Sequence, residues 1–195
     1  MTRQRFEGAI AGVGSSSGVR LVVGRWDASP LGSFADVMIE TAARHRILLA
    51  PNDEVAGFVR ATYTFDEVRI EDVTVDGWRV RSRSLSLDLE VGGRTALGRL
   101  LRLVPAGVAA SPAWCTVTDP VARVVLRGVR TRGTAGNARR EWYGATDHHR
   151  IVAASGAFDG ADLGALAPVL PPPRFGFSST PRQPSVTAVV TTVES

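Results

Sequence analysis

Apolar and polar residues alternate along much of this chain, with the period of a strand rather than a helix. Leu85, Leu87, Leu89 and Val91 alternate with Ser86, Asp88 and Glu90, which sends each set to its own face of a sheet. Just before them, Trp78 and Val80 alternate with Arg79, Arg81 and Arg83, so the apolar parity is even before Ser82 and odd after Ser84. A strand cannot change parity without a turn or a bulge, which predicts one near residues 83–84. The same reading predicts strands over 5–13, 19–26, 35–41, 46–50, 62–75, 139–155 and 186–193. Asp76-Gly77 marks a hairpin turn, and Gly92-Gly93 marks a second turn.

Two stretches carry helical signals. Asn52 is placed to cap a helix running to about Arg60, with Asp53 and Glu54 in the first turn where the helix dipole favours acids. Over 95–104, Leu97, Leu100, Leu101 and Val104 form an apolar stripe for docking on a sheet, and Pro105 ends it. The Pro- and Ala-rich stretch over 105–123 reads as an irregular helical crossover. Many strands, short turns and few helices predict a mainly β, β-rich α+β fold: an antiparallel, closed or nearly closed barrel or cone. Pairing of the last strand, 186–193, with an early one would remove the open edges. The run Pro171-Pro172-Pro173 reads as a bridge into that strand, so residues 1–195 form a single domain.

Composition narrows the chemistry. At 195 residues and 44% apolar content, the chain is long enough to bury roughly 70% of its unfolded surface. All 23 basic side chains are arginine. With no lysine there is no Schiff-base amine and no P-loop lysine, which excludes class I aldolases, pyridoxal enzymes and Walker-type NTPases. Cys115 is the single cysteine, so neither an intrachain disulfide nor a cysteine zinc cluster can form. Arg3, Arg5 and Glu7 argue against a signal peptide, and charges and prolines interrupt the most apolar stretch, 100–126, too often for a membrane span. The expected location is the cytoplasm.

Charge is unevenly spread, with 8 arginines against 11 acids over 1–78, 13 against 5 over 79–150, and 2 against 3 over 151–195. The densest basic cluster is Arg127, Arg130, Arg132, Arg139 and Arg140, with Trp142 and Tyr143 beside it. Such a cluster could hold a phosphate, a nucleic acid or an acidic partner, although solvated arginine-rich hairpin tips are commoner.

Other motifs are weaker. Gly12-Val13-Gly14-Ser15-Ser16-Ser17-Gly18 imitates a dinucleotide-binding loop, but a strand pattern follows where that loop needs a helix. Residues 141–150 carry the most chemistry. On a regular strand Tyr143, Asp147 and His149 share one face, a phenol, a carboxylate and an imidazole suited to proton transfer. A metal would have to use His148 or His149 with His45 and Asp36 or Glu40, and three histidines are too few to predict one. Cys115 reads as a small buried apolar residue. Phe175 and Phe177 point the same way if extended and suit a barrel plug or a pocket gate.

Arg5-Phe6-Glu7-Gly8, Gly32-Ser33-Phe34-Ala35-Asp36-Val37-Met38, Arg140-Glu141-Trp142-Tyr143-Gly144 and Arg174-Phe175-Gly176-Phe177-Ser178-Ser179 resemble an uncharacterised family of actinobacterial proteins. That resemblance spans nearly the whole chain and implies no activity and no site residues. The strand spacing is also loosely similar to acetoacetate decarboxylase-like and lipocalin-like barrels. The decarboxylases work through a lysine that this chain lacks, and a shared fold does not imply a shared function.

The leading expectation is a protein that holds a small, largely apolar or anionic ligand inside a β-barrel. Trp78, Arg140, Phe175 and Phe177 are the expected ligand contacts. The alternatives are a cofactor-independent enzyme using Tyr143, Asp147 and His149, and a nucleic-acid or acidic-partner binder using the arginines over 127–140. No metal and no cofactor is expected in any of the three.

Overall fold

A computed structural model describes residues 3–109, 111–125, 132–134, 140–176 and 180–194. In chain order the elements are β1 (Arg3–Ser15), β2 (Arg20–Ala28), β3 (Phe34–Glu40), β4 (Arg46–Ala50), α1 (Asp53–Arg60), β5 (Glu67–Ile70), β6 (Thr74–Asp76), β7 (Arg79–Arg81) and β8 (Leu85–Arg94). They continue with α2 (Ala96–Leu101), α3 (Ala106–Ala109), α4 (Pro112–Val125), β9 (Arg132–Thr134), β10 (Arg140–Phe158), β11 (Ala161–Asp162), β12 (Leu166–Ala167) and β13 (Ser185–Glu194). The main path through the sheet runs β5-β4-β3-β2-β1-β13-β10-β8-β7-β6, with β9 and β11 also on β10 and β12 on β1. No helix of the described residues is long and apolar enough to cross a membrane.

The sheet curls into an open half-barrel rather than the closed or nearly closed barrel the sequence predicts. The last strand does pair with β1, and with β10, but from the middle of the sheet. It therefore leaves β5 and β6 as edges. These edges are consecutive in the chain, and side chains rather than a ladder hold the strands around them. Arg69 on β5 donates to Ser84 Oγ at 3.0 Å and to Asp159 Oδ1 at 2.6 Å. The buried Glu71 carboxylate accepts from the backbone N–H and hydroxyl of Ser84 at 3.0 and 3.1 Å. The stretch 62–75, expected as one strand, is divided because β5 is delivered parallel to β4 through α1 and β6 turns off to pair with β7.

Alternation decides which side chains go where. Ala9, Ala11 and Val13 of β1, Leu21 and Val23 of β2, and Val37 and Ile39 of β3 face inward. There they meet Val80, Leu85, Leu87, Ile151 and Phe158 from the other half of the curl. Full burial of each Val, Leu, Ile or Phe among them is worth roughly 1.5–3 kcal/mol. The concave side is thus an aliphatic core. The parity change near 83–84 is a bend between β7 and β8. The glycine-rich segment is the β1–β2 hairpin turn, closed by Gly18 N–H to Ser15 O with Gly18 at φ 83°. Gly92-Gly93 lies within β8, where the register with β10 is irregular, and does not form a turn.

The convex face carries the even set of β1–β3: Phe6, Gly8 and Ile10; Val22, Gly24 and Trp26; Phe34, Asp36 and Met38. Helix α1 lies over its β3–β4 side. Asn52 Oδ1 accepts from Val55 N–H at 2.9 Å, the cap the sequence predicts, and Val55, Ala56 and Val59 bury against Leu48 and Ala50. Helix α2 is shorter than the predicted 95–104, and of the expected apolar stripe Leu97, Leu101 and Val104 are half-buried whereas Leu100 is 61% exposed. It approaches β10 through Gly98, where a Cβ would stand 2.3 Å from His148 O. Cys115 is fully buried, as expected of a small apolar residue, and burial raises its thiol pKa to about 11.

Candidate functional site

One bulge decides which residues of β10 meet. Tyr143 and Ala145 pair with Thr191 and Val189 of β13, whereas Asp147 and His149 pair with Ala188 and Val186. Thr146 is the extra residue, and it moves everything after it to the opposite parity. Tyr143 therefore faces the convex side with Glu141 and His148, and Asp147 and His149 take the other side. The expected triad is not assembled. Asp147 instead accepts a bidentate pair from Arg94 at 2.8 and 2.9 Å, which lowers its pKa to about 2. His149 Nε2 stands 3.5 Å from it, and its Nδ1 donates to Gly92 O at 3.2 Å.

The expected ligand contacts are scattered as well. Trp78 packs on the inner core with the Arg25 guanidinium 5.1 Å from its ring centroid. Arg140 is exposed at the start of β10. Phe175 is buried against Phe65, their centroids 5.7 Å apart. Phe177 lies outside the described residues, as do Arg127, Arg130 and Arg139 of the basic cluster. Among the residues considered for a metal, His45 pairs with Glu67 at 3.0 Å and Glu40 with Arg20 at 2.6 Å.

What the structure brings together is a cavity of about 70 Å³ on the convex face, between the sheet and α1. Phe6, Trp26, Phe34 and Phe58 supply aromatic wall, and Asp36, Thr62, Tyr63, Glu141, Tyr143 and Thr191 supply the polar groups. Phe6 meets Phe58 at 4.7 Å and Trp26 edge-on at 5.9 Å. The space takes roughly three non-hydrogen atoms of a ligand, since an apolar cavity of about twice that volume accommodates benzene.

Asp36 sits opposite Gly24 in the β2–β3 ladder. A Cβ on residue 24 would lie 2.5 Å from Asp36 Oδ1 and 2.7 Å from Trp26 Nε1, so glycine leaves the carboxyl its room. Trp26 Nε1 donates to Asp36 Oδ1 at 3.0 Å. That single neutral donor does not offset burial, and the Asp36 pKa rises from 3.8 to about 7.

A chain of hydroxyls runs along the other wall. Thr62 Oγ1 donates to Glu141 Oε1 at 2.5 Å, and Tyr143 donates to Glu141 Oε2 at 2.6 Å. With its proton given to Glu141, Tyr143 accepts from the Tyr63 hydroxyl in close contact with it. Both phenols have raised pKa values, first because they are buried and next because neighbouring acidic groups oppose a phenolate. Thr191 Oγ1 is buried without a hydrogen-bond partner.

The chain matches no family model, no curated protein and no solved structure. The reading of this cavity therefore stands on its geometry. Sequence reasoning names Asp36 only as a metal ligand, and omits Trp26, Tyr63 and Glu141 from any site. The available signal was a lone carboxylate on the same strand face as Phe34 and Met38, in an otherwise apolar run. Tyr63 carried no signal, because it comes to the cavity on the link after α1 and not on a strand.

Proposed function

We propose that this protein binds a small, mostly apolar organic molecule in the convex-face cavity, oriented by one or two hydrogen bonds. The observation that carries it is a buried carboxyl, a tyrosine–tyrosine–glutamate chain and an unpartnered threonine hydroxyl meeting in an aromatic-walled space. Concave sites with few polar groups in apolar walls are the usual form of small-molecule sites. The reading moves the ligand from the inside of the curl to its outer face. It also disfavours an anionic ligand, because two carboxyls line the space and, among the described residues, no arginine does. Saturation-transfer NMR with 2-butanone and tert-butanol tests it. Enhancement that Phe58→Trp abolishes, in a variant melting as the parent does, is expected. No enhancement for either probe rejects the site.

A second reading is favoured by the Asp36 pKa of about 7. A carboxyl poised there can take and return a proton near neutrality, and the Tyr63 hydroxyl, at the end of the hydrogen-bond chain, can turn from Tyr143 to donate to a developing oxyanion. This replaces Tyr143, Asp147 and His149 by Asp36, Tyr63 and Tyr143. Deuterium incorporation at the α-carbons of 2-butanone in D₂O measures it. The exchange is expected to rise through about pH 7 and to vanish in Asp36→Asn, and exchange equal to the buffer rate excludes it.

A further inference from the structure

We propose that the ligand of this cavity is a small organic cation, an alkylammonium held by the Asp36 carboxylate among aromatic walls. The inference rests on the cavity being a ligand site and goes on to assign the ligand's charge.

The balance of charged groups points that way. The lining includes Asp36 and Glu141 and, among the described residues, no arginine and no histidine, in a chain that has 23 arginines and a formal net charge of +4. Elsewhere buried acids have partners. Glu40 holds Arg20 at 2.6 Å, and Glu71 is satisfied by Ser84. Glu141 already accepts from Thr62 and Tyr143. Asp36 is different. It is 5% exposed, its described hydrogen bond comes from a neutral indole, and among the described residues no cation is paired with it. A buried carboxylate without a countercharge is costly, and a cation entering beside it removes that cost.

The walls fit the same ligand. Phe6, Trp26, Phe34, Phe58, Tyr63 and Tyr143 place six aromatic rings around the space. Ring faces attract cations, and aromatic cages serve to bind quaternary ammonium groups. The volume of about 70 Å³ takes roughly three of the five non-hydrogen atoms of tetramethylammonium, which makes that ion an upper bound on size. A carboxylate or phosphate ligand would meet Asp36 and Glu141 with like charge. The groups that face Asp36 are Trp26 on β2, Tyr63 on the link after α1, and Glu141 and Tyr143 on β10. None of them is basic. Arg20 and Glu40, at the far end of the same β2–β3 face, already pair with each other at 2.6 Å.

Three probes of similar size separate the outcomes: tetramethylammonium, tert-butanol and propionate, titrated into the full chain by NMR with Trp26 Hε1 as reporter. Tetramethylammonium is expected to bind at least tenfold more tightly than tert-butanol, and propionate not to bind. Its affinity is expected to rise roughly tenfold between pH 6 and pH 8 as Asp36 ionises, with tert-butanol unchanged. Asp36→Asn is expected to lose tetramethylammonium binding at least tenfold and to keep tert-butanol within threefold, which also reports that the variant cavity is intact. Where Asp36→Asn does not fold, the pH dependence in the parent protein decides. If tert-butanol binds and tetramethylammonium does not, the cation assignment is overturned and the cavity survives. If neither binds, both fall.

Discussion

Replacing Asp36 by asparagine tests the electrostatic description of the cavity without any ligand. The amide keeps the acceptor for Trp26 Nε1 at nearly the same place, with little change in volume. What it removes is ionisation. The folded-state pKa of about 7 lies above the unfolded value of 3.8, so the folded protein holds more protons than the unfolded chain between these values. Stability attributable to Asp36 is therefore complete below about pH 4 and is lost as pH rises through about 7. The full loss is ~4 kcal/mol, of which roughly 2–3 kcal/mol falls between pH 5 and pH 8. His148 works in the opposite direction, because burial lowers its pKa from 6.5 and stability rises as pH climbs toward that value. Asp66 and Asp147, both lowered by arginine partners, act only in more acidic solution. Subtracting the variant's curve from the parent's isolates Asp36. In urea melts at a series of pH values, Asp36→Asn is expected to gain on the parent by about 1 M in midpoint between pH 5 and pH 8. Parallel curves from pH 5 to pH 8, or a parent that gains on the variant with rising pH, would refute a desolvated, uncompensated carboxyl.

Gly24→Ala, whose methyl would stand 2.5 Å from Asp36 Oδ1, is expected to destabilise the protein by about 1–3 kcal/mol in urea and to shift the Trp26 Hε1 resonance. Tyr143→Phe leaves Tyr63 without its acceptor and Glu141 Oε2 without a donor. A loss of about 1–3 kcal/mol in urea melts follows. Asn52→Ala removes the cap of the helix that roofs the cavity and should cost ~1 kcal/mol, with faster amide exchange at Val55. Arg94→Ala frees Asp147 of its main partner, and its carboxyl, titrated by NMR, is expected to move from about 2 toward 3.8.

Much of the fold was legible because alternation is a local property. The residues of β8 reveal in sequence order which side each will take, and β4, β13 and the capped α1 follow the pattern closely. Lysine and cysteine counts excluded whole reaction classes for the same reason, since chemistry that needs an absent side chain cannot occur. The site was not legible in this way. Whether Tyr143 faces Glu141 or Asp147 depends on the single extra residue Thr146, and a bulge arises from pairing with β13, which lies some forty residues away in the chain. The closure of the sheet likewise depended on where the final strand paired: β13 entered at the middle and left β5 and β6 apart.

The amino-acid sequence by itself determined the long strands, the face taken by the alternating apolar residues of β8, the first helix and the lack of amine and disulfide chemistry. Only the tertiary structure decided that Asp36, Trp26, Tyr63 and Tyr143 share one enclosed space on the outer face. The physical reason is that side-chain parity is set by neighbours in the chain, whereas burial, and with it the charge state of a carboxyl, is set by neighbours in space.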